Sequence, residues 1–443
     1  MKANKKHPIL RSLLWIIFLS IMILACLAVI PDLENRKQQE VEIINNEEIN
    51  EKQPSVKEVE YTTAKILVAG DIMIHSPIYN STYYHDTSTD TYDFSEIFKY
   101  IKEDYNSADY TLCTFEGSLG GGDLCGYPFF ITPKIIMTNL KDSGIDCINL
   151  GSNHAYDGFD QGIQDTVNEL DSIGLDYIGI RKDTDTKPYL IKEINGIKIG
   201  FIDYVYESNS YKALNGLTIS NKSSPLINSF NYYHLDSFYD EIEARYKEMR
   251  MDGAEACLII MHWGNEYQMI ESDIQDTMAQ KLCDIGFNGI IGSHPHVEQP
   301  VDLLTSTDGS HQTFVAYAIG NHLSNQRYEY LSNEANGQTE DGCMVNITIT
   351  KDSNGNISIT DLDFIYTWVY MQTTNGSNEY FILPLDDYKT LEKKTGIEDL
   401  GTDPRDSIQR SDAIMKKGIM KVQSALPIAI SKKQPAIVPN KIG

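Results

Sequence analysis

Ile66-Leu67-Val68-Ala69-Gly70-Asp71 is a short apolar run that stops at a glycine and a carboxylate. Consecutive apolar residues closed by Gly-Asp read as a strand buried on both faces. The pattern returns at 110–115, 147–150, 256–261 and 289–291, mostly bounded by Gly, Asp or Asn. Stretches of helical period lie between. Residues 160–173 place Ile163, Val167, Leu170 and Ile173 on one face and stop at Gly174. Residues 272–285 place Ile274, Met278, Leu282 and Ile285 likewise and stop at Gly286. Both have capping residues in front and Gly behind. Two hairpins interrupt the alternation, 190–205 turning at Asn195-Gly196 and 345–364 turning at Asn354-Gly355. Strands alternating with helices predict an α/β fold in layers around a buried sheet.

Chemistry collects where the strands end. Asp71 follows the first run, Glu116 the next, Asn153 with His154 the third, then His262, then His294 and His296. Ligands of open α/β sheets gather outside the carboxyl ends of the strands. Acid, amide and imidazole donors converging there suit two hard-to-borderline divalent ions, with a carboxylate such as Glu116 bridging and a water between them activated. Singly, each residue has an ordinary explanation. Asp71 and Glu116 can close turns, Asn153 can cap a helix, and His262 can be a satisfied core histidine. His294-Pro295-His296 is harder to dismiss, because the proline holds two imidazoles in one rigid turn.

Gly70-Asp71-Ile72-Met73, Phe115-Glu116-Gly117, Asn153-His154-Ala155-Tyr156-Asp157, His262-Trp263-Gly264-Asn265-Glu266-Tyr267, His294-Pro295-His296-Val297 and Ile319-Gly320-Asn321 together resemble the CapA family of capsule synthesis proteins. That family is associated with bacterial poly-γ-glutamate biosynthesis and is similar to calcineurin-like metallophosphoesterases. The resemblance runs from about Lys65 to about Asn325. It implies a layered metallophosphoesterase-like β-sandwich flanked by helices. It also implies that Asp71, Glu116 and His296 hold one ion, while bridging Glu116, Asn153, His262 and His294 hold a second, of manganese, iron or zinc. His154 would serve as the catalytic acid toward the leaving oxygen, oriented by Asp157, with attack by metal-bound hydroxide. Glu266 and Asn321 would sit at the rim. The departures are specific. Met73 stands where the superfamily's first strand carries a histidine, and His75 is the nearest substitute. The bridging acid is Glu116 rather than Asp, and Thr114 stands where the family commonly shows Asn.

The N-terminus adds a location. Lys2, Lys5, Lys6 and Arg11 precede residues 13–30, a stretch without charge. That run is just long enough for a bilayer core of roughly 30 Å. The basic flank predicts a cytoplasmic N-terminus and a single-pass membrane anchor, with the main domain extracellular. A lipoprotein with Cys26 at its head and a cleaved signal peptide are the competing forms. The apolar run continuing through Ile30 favours the uncleaved anchor. Residues 31–63 read as a flexible acidic stalk, 64–370 as the main domain, and 371–443 as a charged extension, helical near 386–394 and irregular at its end. The chain carries a net charge of −26, and beyond residue 30 it has 33 basic residues against 63 acidic, or −30. Such a surface excludes nucleic acid as a partner and repels an anionic polymer or phosphoester substrate unless bound cations neutralise the site. Six cysteines follow Cys26; those in apolar runs read as free, buried thiols. Two functions are expected. One is a metal-dependent hydrolase beside the membrane-bound polyglutamate synthase and export components. The other is a non-catalytic, polymer-binding or scaffolding component of that machinery.

Overall fold

Alternate side chains of β1 (Thr62–Ile72) face opposite ways, as the strand period of two requires. Ile66 and Val68 enter one apolar core while Leu67 and Ala69 enter another. This strand is buried on both faces, which accounts for its continuous hydrophobicity. The computed structural model describes residues 61–208, 212–331 and 337–430. The apolar run at 13–30 and nearly all of the stalk lie outside the described residues. Among the described residues no helix is long and apolar enough to cross a membrane.

Along the chain β1 is followed by β2 (Tyr110–Phe115), α1 (Ile135–Ser143), β3 (Cys147–Asn149), α2 (Phe159–Ile173) and β4 (Asp176–Ile178). Next come β5 (Leu190–Ile194), β6 (Ile197–Tyr206), β7 (Ser229–Phe230), α3 (Leu235–Met251), β8 (Ala256–His262), α4 (Asp273–Ile285) and β9 (Gly289–Ser293). Then follow β10 (Val301–Thr305), β11 (Gln312–Ala316), β12 (Asn321–Leu323), β13 (Asp341–Lys351), β14 (Ile357–Thr374), β15 (Ser377–Pro384), α5 (Asp403–Ser424) and β16 (Ile428–Ile430).

These strands make two sheets. The first runs β15-β14-β13-β1-β2-β3-β4, with β12 beside β1 and β16 beside β14. The second runs β7-β6-β8-β9-β11-β10, with β5 on β6. Ile66, Val68, Leu112 and Cys147 of the first sheet share a core with Phe201, Leu258, Ile260 and Ile291 of the second. Met137, Leu140, Ile163 and Val167 of α1 and α2 cover the first sheet's other face. Phe238, Ile242, Met278 and Leu282 of α3 and α4 cover that of the second. The result is helix, sheet, sheet, helix, the flanked sandwich expected. Each fully buried aliphatic side chain contributes roughly 1.5–3 kcal/mol to holding it.

Three features matter for the site. First, β1 to β4 are parallel, and so are β6, β8, β9 and β11, so each sheet gathers carboxyl ends. Second, the β1–β2 register shifts between Ala69 and Asp71. A Cβ on Gly70 would lie 2.2 Å from the Gly320 carbonyl oxygen, so only glycine lets the chain swing there and aim Asp71. Third, the chain beyond Met371 differs from expectation. The helical turn near 391 is present, and the described residues up to 430 are otherwise largely strand and helix, while 431–443 lie outside the described residues. β14 continues to Thr374, β15 pairs with it along its length, and β16 pairs with its start. Met415 and Val422 of α5 join the core between the sheets. The cysteines agree with the sequence: Cys113, Cys147, Cys257 and Cys343 are free and buried, and Cys125 is free and half-buried.

Candidate metal centre

The first sheet supplies oxygen donors. Asp71 leaves β1 with its backbone N–H on the Gly320 carbonyl at 3.1 Å. Its Oδ2 accepts the backbone N–H of His294 at 3.0 Å, which ties the end of β1 to the end of β9. Glu116 follows β2 directly, and its N–H donates to the Ile72 carbonyl at 3.0 Å, so the ladder continues to the site itself. Both residues are fully buried. Asp71 Oδ1 and both oxygens of Glu116 have no hydrogen-bond partner among the described residues.

The second sheet supplies imidazoles. His262 is the last residue of β8; its Nδ1 meets Ser293 Oγ at 2.8 Å and its Nε2 meets Asn153 Oδ1 at 2.8 Å. The latter contact joins the two sheets across the cleft. His294 and His296 take φ of +96° and +58°, which side chains other than glycine's rarely adopt. Backbone strain of this kind persists where the surroundings enforce it, and it clusters at functional sites. Tyr206 supports this wall, its ring 4.7 Å from that of His294 and nearly parallel to that of His262.

His154 and Asp157 pair within the loop after β3, Nδ1 to Oδ2 at 2.7 Å. The same Oδ2 accepts the Phe130 N–H at 2.7 Å, and the Phe130 ring stands edge-on to His154. Asn215 donates to Asp157 Oδ1 at 3.1 Å and to the Pro128 carbonyl at 2.8 Å. Asp157 therefore holds His154 in one orientation and is itself held by two further donors, Phe130 and Asn215.

His296 Nδ1 lies 4.0 Å from Asp71 Oδ2 and 4.0 Å from Glu116 Oε1. That is too long for hydrogen bonds, and it places the His296 ring beside both acids. Asp71, Glu116 and His296 form one group whose ligand atoms lie within 4.8 Å of one another. Asn153, His262 and His294 also come together, the last two with ring centroids 4.8 Å apart. The Asn153–His262 contact of 2.8 Å is a hydrogen bond, and it is also close to the spacing of adjacent ligands on one ion.

Two expectations change. His75 does not replace the missing histidine: its Nδ1 accepts the Asn325 N–H at 3.2 Å and its ring packs on Phe130. Met73 is buried and anchored by its N–H on the Leu323 carbonyl. Asn321 is not a rim residue but fully buried, because β12 lies alongside β1 and pairs it with Asp71. Its amide donates to Ser324, Gln326 and Thr339, which leaves Oδ1 to accept from His296 Nδ1 at 3.2 Å. Glu266 is exposed, as expected of a rim, yet one of its oxygens belongs to a group with His294 and His296 within 4.8 Å.

Loss of water acts on every member. Burial raises the Asp71 carboxyl and pushes Glu116 well above its usual range, with the Asp71 charge adding to the latter. Burial also lowers His294 to about 3 and holds His262 and His296 well below their usual value. Burial alone thus favours protonated acids and neutral imidazoles. Divalent cations would invert the first tendency and use the second, since neutral imidazole is the ligating form. Buried acid oxygens without donors, facing neutral imidazoles, fit such ions.

Ser293, Asn215 and Asp203 were not singled out from the sequence. Asp203, on β6, is buried and accepts the Gly151 N–H at 2.9 Å, so it pins the loop that carries Asn153 and His154. Only Asn215-Gly216 left a signal, as a turn dipeptide; both residues take positive φ.

The family model for the bacterial capsule synthesis protein PGA_cap matches residues 65–326, a span holding every candidate named above. The PGA biosynthesis protein CapA of Bacillus subtilis (strain 168) is 24% identical over 318 residues, covering 70% of this chain and 74% of that protein. The capsule biosynthesis protein CapA of Bacillus anthracis is 27% identical over 188 residues, 42% of either chain. Among solved structures, the calcineurin-like phosphoesterase YfkN from Bacillus subtilis is similar at 15% identity and a TM-score of 0.38, over 82% of this chain and 100% of that one. The chain belongs to the bacterial capsule synthesis protein family.

Proposed function

We propose that this chain serves poly-γ-glutamate capsule synthesis at the outer face of the cell membrane, as a metal-dependent hydrolase of the phosphoesterase type. The observation that carries the proposal is the Asp71–Glu116–His296 cluster, with its buried, unpartnered carboxylate oxygens. The capsule context is supported by family membership and by the name of the Bacillus subtilis relative. The basic flank and apolar run support a single-pass anchor with the remaining chain outside, beside membrane-bound polyglutamate synthase and export components.

When bound, two divalent ions (manganese, iron or zinc) would supply a water of lowered pKa and polarise the oxygen of a phosphoester or of a related bond in the anionic polymer. Asp71, Glu116 and His296 would hold one. Glu116, Asn153, His262 and His294 would hold the other. Ser293 and Asn321 fix the rings of His262 and His296 by hydrogen bonds to Nδ1. His154, backed by Asp157, is oriented to give a proton to the leaving oxygen.

A second reading is a non-catalytic component that binds or guides the polymer. Met73 favours it, because the Asp71 side then has one donor fewer than a complete phosphoesterase site. Metal content decides whether the hydrolase reading goes forward. The full chain, stripped and then offered manganese, zinc or iron, is expected to take up two ions, fewer in His262→Ala and His296→Ala. It should then hydrolyse an activated phosphodiester. No uptake of any of the three would sink the hydrolase reading. Uptake without turnover of phosphoesters or polymer would favour the second.

A further inference from the structure

We infer that Glu266 is a further metal ligand of the two-ion site, reaching it from the solvent side of the cleft beside His294 and His296. The inference rests on the metal-site reading above and adds to it a residue that the strand-end pattern assigns only to the rim.

The backbone brings Glu266 there. β8 ends at His262, and the chain turns at Gly264, where φ is +87° and a Cβ would lie 2.9 Å from the Gln275 amide. The Gly264 N–H donates to Tyr232 Oη at 3.0 Å. Tyr267, at φ +61°, donates its N–H to the Pro295 carbonyl at 2.8 Å. Pro295 separates the two histidines, so this single bond seats the preceding residue, Glu266, beside both. One ligand atom from each of Glu266, His294 and His296 then lies within 4.8 Å of the others. Metal–ligand bonds of about 2.0–2.2 Å reach ligand atoms up to roughly 4.2 Å apart. A rotamer change of the exposed glutamate closes the remainder.

Demand for a donor on this side is visible independently. His294 Nδ1 is buried and has no hydrogen-bond partner among the described residues. The superfamily's first-strand histidine is absent at Met73, and His75 accepts a backbone N–H instead. The whole site is therefore one donor short, and Glu266 is the acid the fold brings within reach. A carboxylate added beside imidazole donors suits zinc or manganese.

The test is titration of the stripped full chain with Mn2+ by calorimetry, and with Co2+ by its visible spectrum, for wild type, Glu266→Gln and Glu266→Asp. Glu193→Gln, an exposed acid on β5, serves as the control for charge alone. Glu266→Gln is expected to weaken one of two Mn2+ sites at least tenfold and to change the Co2+ band, with an unchanged circular dichroism spectrum. Glu266→Asp should fall between, and Glu193→Gln should match wild type. Mn2+ isotherms and Co2+ bands of Glu266→Gln that superpose on wild type would overturn the inference and leave the metal-site reading standing. A loss shared equally by Glu193→Gln would also overturn it, as a charge effect. If wild type itself binds neither ion, the parent reading fails and the inference with it.

Discussion

Of the two walls of the cleft, the first sheet brings oxygen and the second brings nitrogen. Asp71, Glu116 and Asn153 stand at the ends of β1, β2 and β3; His262, His294 and His296 stand at the ends of β8 and β9. Burial removes water from both walls and moves their protons in opposite directions, up for the acids and down for the imidazoles. Each wall by itself tends to neutrality, at the cost of unpartnered polar atoms. The backbones differ too. The first wall is an extension of the ladder, with the Glu116 N–H on the Ile72 carbonyl, whereas the second takes left-handed backbone at His294 and His296. The lesson is that neither wall is a site alone. A cation needs the negative charge of the first and the lone pairs of the second.

Removing charge from the first wall should therefore have the largest effect. Glu116→Gln keeps the shape and deletes one carboxylate. Loss of a partner behind a ligand costs roughly 10–100-fold in metal affinity, and loss of the ligand itself should exceed that. The same variant should be at least as heat-stable as wild type in chelator. Two buried acceptors without donors are then replaced by an amide that can donate, against a penalty of about 1–3 kcal/mol for such groups. Calorimetric titration and melting in chelator measure the two halves. Unchanged metal affinity would break the comparison, because the oxygen wall would then not be holding the ion.

His154 tests chemistry apart from binding. His154→Ala should leave metal content intact and lower kcat by roughly 10²–10⁴-fold, the range for a lost general acid. Asp157→Asn keeps the pairing but not the charge and should lose less. Metal analysis beside steady-state rates separates these outcomes. A His154→Ala protein that loses its ions would make this residue part of the binding wall.

Behind both walls lies Asp203, whose burial raises its carboxyl to about 8. In the unfolded chain it titrates near the ordinary value of about 3.9. Below about pH 4 both states are protonated and the group does not affect stability. Between about 4 and 8 the folded state retains a proton that the unfolded state has lost. Stability therefore falls as pH rises through this window and levels off above 8. Asp203→Asn can keep the bond from the Gly151 N–H and abolishes the titration. Its advantage over wild type in urea unfolding should grow from pH 5 to pH 8. Parallel pH profiles for the two proteins would show that Asp203 carries no such penalty.

The difference between the walls also explains what could be read from the sequence. Strand-end donors were legible because each follows a short apolar run: Asp71, Glu116, Asn153, His154, His262, His294 and His296 all sit at the strand ends expected. The helices at 159–173 and 273–285 and both hairpins were legible by period and turn residues. The supports were not. Ser293, Asp203 and Asn215 act through single hydrogen bonds to residues 31 to 58 positions away, and such pairs leave no local pattern. The last third of the first sheet was hidden for another reason. α5 buries Pro404, Ser407, Ser411, Met415 and Val422, so polar residues occupy much of its inward face. Ser407 and Arg410 bind the buried Asp341 carboxylate, which takes the place of an apolar stripe. Asn321 was legible as a motif but misplaced at the rim, because the pairing of β12 with β1 is a long-range fact.

The smallest effect belongs to the helix behind the second wall, and it marks where the site stops. Ser272 and Gln275 form a reciprocal capping box at the start of α4. Gln275 also donates to Gln299, which in turn donates to the Gln268 carbonyl of the loop bearing Glu266. Ser272→Ala removes the cap alone, so it should destabilise by about 1 kcal/mol, within the usual range of 0.5–2. Metal affinity should not move, because the Gln275–Gln299–Gln268 chain and the Tyr267–Pro295 bond remain. Urea unfolding in chelator and a Mn2+ titration of the same sample measure both. A tenfold loss of Mn2+ affinity in Ser272→Ala would mean that the second wall depends on helix position as much as on its own backbone. The contrast between a wall built by ladder and a wall built by strained loop would then extend into the helix layer.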